Sequence, residues 1–371
     1  MRKTFEYRLL PTRKQESLLN QMLEECRWVF NQTLALRSNA WEQEQKSISL
    51  YQTNKLLPQW KRERPSLTIV YSQVLQDVQE RVDLALKAFF RRVKAGEKPG
   101  YPRFRGRGRY DSLTYPQFGF SLDGSLVRVG KIGLIKAIIH RPLGGKVKTL
   151  TLRRHSTGKW YACFSCEIEP EPLPKTEKAV GIDVGLANFA TLSTGEKIAN
   201  PRFFRTDERE LAKAQRKLSK EEKGTPERQH RRKAVSHIHE RIANRRKDFA
   251  HKLSHSLVNT FDIIIFEKLN SKTMLRNHCL AKSIADAAWF QLVQFTAYKA
   301  EWAGRSVVLV DPRNTSRRCS RCGTLVHKDL SCRVHSCPVC GLVLDRDLNA
   351  SINILALGLQ GVGSIPRSPR L

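Results

Sequence analysis

The sequence predicts a multidomain protein that combines a helical region, a β-rich region and an α/β domain carrying a small metal-binding insert. Three observations predict it. Apolar stripes at helical spacing occupy residues 11–96, short alternating runs occupy 111–170, and strands alternate with helices from residue 179 onward. The chain has 371 residues, 40% of them hydrophobic, which is too long for one ordinary core and enough apolar surface for two or three domains.

The N-terminal region begins as a strand and continues as helices. Residues 3–10 alternate, and Thr12 and Gln15 then have the spacing of a capping box at a helix start. Two apolar stripes follow and predict the buried faces of two helices. The first contains Leu18, Leu19, Met22, Leu23, Cys26, Val29, Phe30 and Leu34, and the second contains Val74, Leu75, Val78, Val82, Leu86, Phe89 and Val93.

A basic connector is predicted between Gly96 and Arg109. Gly, Pro, Lys and Arg are interleaved there with Tyr101 and Phe104, a composition that packs poorly but suits contacts with phosphates and bases. A merely solvated loop is the alternative interpretation.

The β-rich region at 111–170 predicts a small barrel or sandwich. Its alternating runs, broken by Gly and Pro, include 125–129, 146–153 and 160–168. Cys163 and Cys166 lie three apart in one of these strands and therefore face opposite sides of it. This pair is predicted to be structural and not to bind metal.

Pro170, Pro172 and Pro174 mark a linker before a domain that starts near Ala179. Alternation of strands and helices beyond it predicts an α/β layer architecture. The expected order is a buried strand and its neighbour (179–193), a basic helical stretch (207–258), a strand (262–267), a helix (282–303), a strand (306–310), a final helix (347–357) and a disordered tail (358–371).

The charge of the chain predicts a polyanionic partner. Sixty-six Lys and Arg against 35 Asp and Glu give a formal net charge of +31, which favours nucleic acid. A ribosome-like basic protein or a membrane-surface binder is the alternative from charge alone. Nine cysteines, one of them necessarily unpaired, and no long apolar signal core in residues 1–10 favour a reduced, cytoplasmic protein, and no apolar run reaches the roughly 20 residues of a membrane span.

Two cysteine pairs predict a structural zinc site. They have the C-x-x-C spacing of two knuckles, lie 14 residues apart and are each followed by a glycine, Gly323 or Gly341, which eases a tight turn. Because four thiolates complete a tetrahedral shell, the metal has no open position. Cys332 and His335 lie between the knuckles and are expected to be bystanders. The predicted ligands are Cys319, Cys322, Cys337 and Cys340.

Three acidic residues predict a second metal site. Asp183 interrupts a buried apolar strand, Glu267 ends another, and Asp347 begins a helix. A buried carboxylate without a partner loses several kcal/mol of solvation, so the three are expected to converge on Mg²⁺ or Mn²⁺. Two such ions about 4 Å apart support phosphodiester hydrolysis. Asp347 has the alternative role of a helix cap, and Asp345 is the competing choice for the third ligand.

Several motifs occur together in one order. They are Arg8-Leu-Leu-Pro-Thr, Cys26-Arg-Trp-Val-Phe-Asn, Gly100-Tyr-Pro-Arg-Phe-Arg, Gly181-Ile-Asp-Val-Gly, the run from His239 to Ser254, Phe266-Glu-Lys-Leu, Cys319-Ser-Arg-Cys-Gly, Cys337-Pro-Val-Cys-Gly and Asp345-Arg-Asp-Leu-Asn-Ala. Together they resemble the TnpB family of insertion-sequence proteins, the proposed ancestors of the type V CRISPR effectors. The resemblance covers roughly residues 1–355.

The resemblance implies an RNA-guided DNA endonuclease of transposon origin, a metal-dependent hydrolase. It implies guidance by a noncoding RNA from the element itself, cleavage of double-stranded DNA next to a short target-adjacent motif, and no need for a protein oligomer. The catalytic acids carry over to Asp183, Glu267 and Asp347. The implied domains are a wedge-like β-barrel (1–10 and 106–175), a helical recognition lobe (11–105), a RuvC-like RNase H-fold nuclease (178–318 and 341–357) and a zinc-binding insert (319–340).

Nucleic-acid contacts are expected at two places. Tyr51 and Gln76 lie in segments similar to family positions that face the target-adjacent motif. The connector contributes the other expected contacts, Tyr101, Arg103, Phe104 and Arg105.

Three alternatives remain open at this stage. A nuclease-inactive relative would use its guide only to occupy DNA as a repressor, and a conventional transposase would join DNA ends with the same kind of site. A non-enzymatic zinc-ribbon RNA-binding protein would explain the zinc site and the charge, but it leaves the buried acids unexplained.

Overall fold

The structure is a computed structural model that describes residues 1–329 and 332–362. The chain divides into two compact units, Met1–Glu169 and Pro170–Leu371, and the boundary falls at the first proline of the predicted linker. Among the described helices, none combines the length and apolarity that crossing a bilayer requires.

The first unit is described over all of its residues. It begins with a strand, continues with helices and ends with six more strands, which is the order that the sequence predicts. The elements are β1 (Arg2–Leu10), α1 (Arg13–Glu44), α2 (Leu50–Lys55), α3 (Leu57–Glu63), a 3-10 turn (Pro65–Ile69), α4 (Ser72–Lys94), β2 (Ser112–Tyr115), β3 (Phe120–Asp123), β4 (Leu126–Val129), β5 (Gly133–Ile138), β6 (Lys146–Arg154) and β7 (Trp160–Glu167).

The seven strands form one antiparallel sheet in the order β2-β6-β7-β1-β5-β4-β3. Although β2 and β3 lie at opposite edges, only residues 116–119 connect them. Six strand spacings would separate the edges of a flat sheet by about 29 Å, whereas this connection reaches at most about 18 Å. The sheet therefore curls into a barrel-like shape, although in residues 1–169 no hydrogen-bonded ladder joins its two edges.

The helices and the curled sheet share one core. Thr12 caps α1 as predicted: its hydroxyl accepts from the Gln15 amide, and the Gln15 side chain accepts from the Thr12 amide. In the first stripe, Leu18 is partly buried and all other members are buried. The second stripe is buried from Val74 to Leu86, but Val93 is 49% exposed, so the prediction is wrong for its last turn, which extends beyond the core. Side chains from β1 and β7 complete this core, among them Phe5, Tyr7, Leu9, Trp160, Phe164 and Cys166.

Cys163 and Cys166 follow the prediction for a strand. Residues 160–166 of β7 alternate between buried and partly buried, and the two cysteines fall on opposite faces. Cys166 is buried in the core, and Cys163 is partly buried.

The second unit is an α/β structure with its strands and helices close to the predicted positions. Its elements are β8 (Ala179–Val184), β9 (Asn188–Leu192), β10 (Lys197–Ala199), α5 (Phe203–Lys220), α6 (Pro226–Thr260), β11 (Ile263–Glu267), α7 (Ser271–Met274), α8 (Ala281–Ala287), α9 (Trp289–Trp302), β12 (Ser306–Val310), β13 (Val334–Ser336), β14 (Val343–Asp345) and α10 (Arg346–Val362).

The main sheet of this unit has the order β10-β9-β8-β11-β12. Strands β8, β11 and β12 are parallel, whereas β9 and β10 are antiparallel to their neighbours. Helix α10 lies directly on β8, because a Cβ atom at Gly181 would come within 2.2 Å of the Ser351 carbonyl oxygen. The glycine in this strand therefore permits the close approach of backbone to backbone.

Two predicted helices are each divided in two. The basic stretch forms α5 and α6, because the chain turns at Gly224 (φ +99°) and the Thr225 side chain then accepts from the Arg228 amide as an N-cap. The predicted helix at 282–303 is interrupted by Ala288, whose left-handed conformation (φ +52°) ends α8 and starts α9.

The C-terminal helix is longer than predicted. It continues to Val362, so the expectation of disorder is wrong for 358–362. Gly358 does not end the helix but allows close packing, since a Cβ atom there would lie 2.5 Å from the Ile265 side chain. The rest of the expected tail, 363–371, lies outside the described residues.

Candidate active site and metal centre

Two of the predicted acids lie side by side at one edge of the second sheet. The parallel register pairs Phe266 of β11 with Ile182 of β8. Glu267 and Asp183 each follow by one residue and so occupy the carboxyl ends of adjacent parallel strands. Buried residues of β8 and β11 immediately precede the two acids, so each carboxylate lies where its strand leaves the core.

The third acid, Asp347, lies in the first turn of α10, the helix that packs on β8. The Arg346 side chain donates to Asp347 Oδ1 from Nε at 3.1 Å and from Nη2 at 3.0 Å. Arg333 Nη1 lies 3.8 Å from the other carboxylate oxygen. Two guanidinium groups thus pair with the Asp347 carboxylate.

Glu267 and Asp347 lie close enough to Asp183 to affect its pKa. Burial and then the charges of Glu267 and Asp347 raise the pKa of Asp183 to about 8. Burial also raises the pKa of Glu267, although a hydrogen bond from the Thr315 hydroxyl acts in the opposite direction. Like charges held near one another in a partly buried site favour the binding of a cation.

The neighbouring Asp345 has a different role. Its Oδ1 accepts from the amides of Asp347 and Leu348 at 3.0 and 3.1 Å, so it caps α10. Its other oxygen, Oδ2, pairs with Lys197 Nζ at 2.8 Å. Although burial acts to raise the pKa of Asp345, Lys197 and the two amides lower it. The capping role that was an alternative for Asp347 therefore belongs to Asp345.

The four predicted zinc ligands form a compact cluster. All four sulfurs lie within 4.8 Å of one another, with Cys319 Sγ 3.6 Å from Cys340 Sγ and Cys322 Sγ 3.5 Å from Cys337 Sγ. Among the described residues this is the only such group of three or more potential ligands, and the three carboxylates are not gathered as tightly. The thiolates are therefore arranged for one ion.

The two glycines make the cysteine turns. Gly323 and Gly341 have φ of +78° and +69°, and their amides donate to the Cys319 and Cys337 carbonyls at 2.9 and 3.0 Å. The side chain and amide of Thr324 lower the pKa of Cys322 to about 6. Although the Leu342 amide acts to lower the pKa of Cys340, burial and the neighbouring thiols raise it to about 12. Thiolates are the form that zinc binds, so the Thr324 contacts of the first turn favour that form at Cys322.

The two predicted bystanders of the insert, Cys332 and His335, lie outside the cluster. Cys332 is exposed, and its Sγ lies 3.2 Å from the Val334 carbonyl oxygen. His335 is buried, and its Nδ1 lies 2.5 Å from Lys328 Nζ. Neither belongs to the four-sulfur group.

The expected nucleic-acid contacts all lie in the first unit and on its surface. Tyr51, on α2, is 68% exposed, with Lys55 Nζ 4.5 Å from its ring centroid, and Gln76 is exposed on α4. The connector is anchored where the Arg105 amide donates to Asn31 Oδ1 at 2.8 Å. Arg103, Phe104 and Tyr101 are all exposed, and the Tyr101 ring also packs edge-on against Phe89.

Three buried polar residues near the acids were not among the predicted site residues. Thr315 donates to Glu267, and the side chains of Asn349 and Asn353 on α10 donate to backbone carbonyls that include those of Thr315 and Arg318. A signal for the asparagines exists in the sequence, because they interrupt the apolar face of the last helix. Thr315 carries no comparable local signal.

Three family profiles match this chain. The profile "Probable transposase" matches residues 163–278, "Cas12f1-like, TNB domain" matches 289–354, and "Helix-turn-helix domain" matches 1–46, where the structure has β1 and the single helix α1.

The chain is also similar to whole proteins. It is 38% identical to "Putative RNA-guided DNA endonuclease" of Streptomyces pristinaespiralis, over 97% of this chain and 90% of the relative. It is 32% identical to "Putative RNA-guided DNA endonuclease InsQ" of Escherichia coli K12, over 95% and 92%. Its fold resembles the protein in "Cryo-EM structure of the Cas12f1-sgRNA-target DNA complex", with a TM-score of 0.57 at 15% identity, over 92% of this chain and 83% of the other.

Proposed function

The chain belongs to the TnpB family of RNA-guided DNA endonucleases, and from this premise we propose that it cleaves double-stranded DNA with Asp183, Glu267 and Asp347. The observation that carries this assignment is the meeting of two strand ends and one helix start at a single edge of the sheet. We propose that a noncoding RNA from its own element guides the protein to DNA beside a short target-adjacent motif.

The second unit is proposed to be a RuvC-like nuclease of the RNase H fold. An antiparallel run of three strands followed by two parallel strands, in the order β10-β9-β8-β11-β12, supports this assignment. The zinc cluster lies in the chain between β12 and α10, as expected for an insert in such a nuclease. In the first unit, the curled sheet is proposed to be the wedge-like barrel, and α1 to α4 the recognition lobe.

The residues present fit two kinds of metal. Hard carboxylate oxygens at one partly buried edge suit Mg²⁺ or Mn²⁺, and four clustered thiolates suit Zn²⁺. When bound by the acids, two divalent ions supply the activation of water and the stabilisation of the leaving oxygen during phosphodiester hydrolysis. Cys319, Cys322, Cys337 and Cys340 would hold the zinc, which would support the folding of the insert.

The protein's own residues hold this site in place. Asp183 and Glu267 are fixed by the ladder between β8 and β11, and Asp347 by the capped first turn of α10. Because these carboxylates lie on rigid elements, their relative positions do not depend on loop conformation. Basic side chains of α5, α6 and the connector are proposed to hold the nucleic-acid backbone, while guide pairing reads the sequence.

The experiment that tests this function compares cleavage with and without RNA. The protein is purified free of RNA, and duplex DNA is offered with Mg²⁺ in the presence or absence of the RNA that copurifies with it. Cleavage is expected only with the RNA and only at matching DNA. Efficient, sequence-specific cleavage without RNA would contradict the guide hypothesis and indicate a conventional nuclease or transposase.

The two alternative functions give different products in the same experiment. A repressor would bind the matching DNA without cutting it, and a transposase would yield strand-transfer products. The presence of all three acids in one partly buried site favours cutting over occupation alone.

A further inference from the structure

Thr315 lies in the segment that joins β12 to the zinc cluster, and its side chain reaches the candidate active site. Its hydroxyl oxygen lies 2.5 Å from Glu267 Oε1 and 3.1 Å from the Pro312 carbonyl oxygen. A hydroxyl has one hydrogen to donate, and the shorter distance assigns it to the carboxylate. Thr315 is itself buried, so this hydrogen bond is shielded from water.

Two buried asparagines of α10 fix the segment that carries Thr315. Asn353 Nδ2 donates to the carbonyls of Thr315 and Arg318 at 2.8 and 2.7 Å. Asn349 Nδ2 donates to the Arg318 carbonyl at 2.8 Å, and its Oδ1 accepts from the Ser320 amide at 2.9 Å. The backbone of Thr315 is thus tied to the same helix that carries Asp347.

The zinc cluster holds the other end of this segment. Cys319 directly follows Arg318, and its amide donates to the Thr324 carbonyl at 2.9 Å within the first cysteine turn. The short segment 315–319 therefore connects a ligand of the zinc cluster to a hydrogen-bond donor of the carboxylate site.

Glu267 needs such a partner more than the two aspartates do. Its side chain has one more rotatable bond than that of an aspartate, and its carboxylate is partly buried at the end of β11. A donor fixed on one oxygen restrains the carboxylate plane and leaves the second oxygen available. Donors of this kind orient metal-binding carboxylates, and their loss typically costs about 10–100-fold in metal affinity or activity.

We propose that Thr315 is a positioning residue that orients the Glu267 carboxylate for metal binding, and that the α10 asparagines and the zinc cluster hold Thr315 in register. This inference rests on the proposed function of Glu267. It adds a residue to the site, and it links the insert to the acids by covalent and hydrogen bonds.

The central test is Thr315→Val, which preserves shape and removes the hydroxyl. Cleavage of matching DNA by the RNA complex is measured under single-turnover conditions across a Mg²⁺ titration. Mn²⁺ binding to the full-length protein without RNA is measured by electron paramagnetic resonance, with Glu267→Gln as the baseline. We expect the single-turnover rate constant of cleavage to fall about 10–100-fold and the Mn²⁺ affinity to fall in parallel. Thr315→Ser, which restores the hydroxyl, should recover most of the cleavage rate and most of the Mn²⁺ affinity.

A matched control is available in the same unit. Thr296 is also buried, but its hydroxyl donates to the Leu292 carbonyl at 2.9 Å within α9. Thr296→Val should leave the metal dependence unchanged, which separates loss of positioning from loss of a buried hydroxyl. Asn353→Ala keeps the Thr315 hydroxyl but removes the hydrogen bond to the Thr315 carbonyl. Like Thr315→Val, it should therefore raise the Mg²⁺ concentration that cleavage requires.

Two outcomes would overturn the inference. One is a Thr315→Val protein with unchanged Mg²⁺ dependence and Mn²⁺ affinity while Glu267→Gln is inactive. The other is Thr315→Ser as impaired as Thr315→Val. If Glu267→Gln itself cleaves normally, the assignment of Glu267 in the proposed function fails instead. If Thr315→Val does not fold, Asn353→Ala provides the test. A higher Mg²⁺ requirement in that variant would support the inference, and an unchanged requirement would overturn it.

Discussion

Asp345 and Asp347 lie two residues apart, and the Asp345 carboxylate accepts a hydrogen bond from the Asp347 backbone amide at 3.0 Å. The two acids thus have different roles at one helix start. Asp345 caps α10 and pairs with Lys197, while the Asp347 carboxylate contributes to the raised pKa of Asp183.

This division of roles predicts different effects of two alanine substitutions. Asp183→Ala, Glu267→Ala and Asp347→Ala are each expected to abolish cleavage. RNA and target binding should be largely retained, because basic side chains contact the nucleic-acid backbone. Asp345→Ala should lower the free energy of unfolding by about 0.5–2 kcal/mol through loss of the cap and retain cleavage. Cleavage and denaturant unfolding measure the two effects. If Asp347→Ala cleaves normally, Asp345 and not Asp347 would be the third metal ligand.

The raised pKa of Asp183 predicts how pH affects stability and metal binding. Folded Asp183 keeps its proton up to about pH 8, whereas the unfolded residue loses it near its ordinary pKa of about 3.9. This group therefore makes the metal-free protein less stable as pH rises from about 4 to 8. Because a cation must displace that proton, the rise in unfolding temperature caused by Mg²⁺ should be larger at pH 8 than at pH 6. Asp183→Asn should remove this difference, and a Mg²⁺ effect independent of pH in the unaltered protein would contradict it.

The sulfur cluster predicts that zinc supports folding. Cys337→Ser should lower zinc content and solubility together, since the buried sulfur is one of four clustered ligands. Elemental analysis and the soluble yield are the measurements. Cys332→Ser is the matched control and should retain zinc, because that exposed cysteine lies outside the cluster. A soluble, active protein without zinc would refute the assignment.

The net charge predicts a strong dependence of binding on salt. If basic residues mainly contact phosphates, RNA affinity should fall steeply and linearly on a logarithmic scale as salt increases, because many counterions are released on binding. Equilibrium binding between about 50 and 200 mM salt measures the slope. A shallow slope would indicate that contacts other than phosphate dominate.

The connector predicts a stacking contribution that can be isolated. Phe104 is 62% exposed beside Arg103 and Arg105, and its replacement by alanine should weaken nucleic-acid binding by about 1–3 kcal/mol. Phe118 is 67% exposed, lies between β2 and β3, and provides a matched control whose replacement should change binding little. Equal losses in both variants would argue against a specific role for the connector.

Local patterns in the sequence determined the features that depend on near neighbours. The C-x-x-C pairs with their glycines, the capping box at Thr12 and the stripe of α1 are each specified by residues a few positions apart. Asp183 and Glu267 were also recognisable as candidates, because a carboxylate at the end of an apolar strand is costly without a function. Helix breaks were harder to predict, since Ala288 adopts a left-handed conformation that its residue type does not favour.

Tertiary structure decided which distant residues meet. Asp183 and Glu267 are neighbours because β8 and β11 pair in one parallel register, and the packing of α10 against Gly181 then brings Asp347 to them. The curl of the first sheet depends on the short link between its edge strands, and the role of Thr315 depends on carbonyls held by Asn353. Such contacts join segments far apart in the chain, so their geometry is set by strand register and by the close packing of whole elements and not by residue spacing.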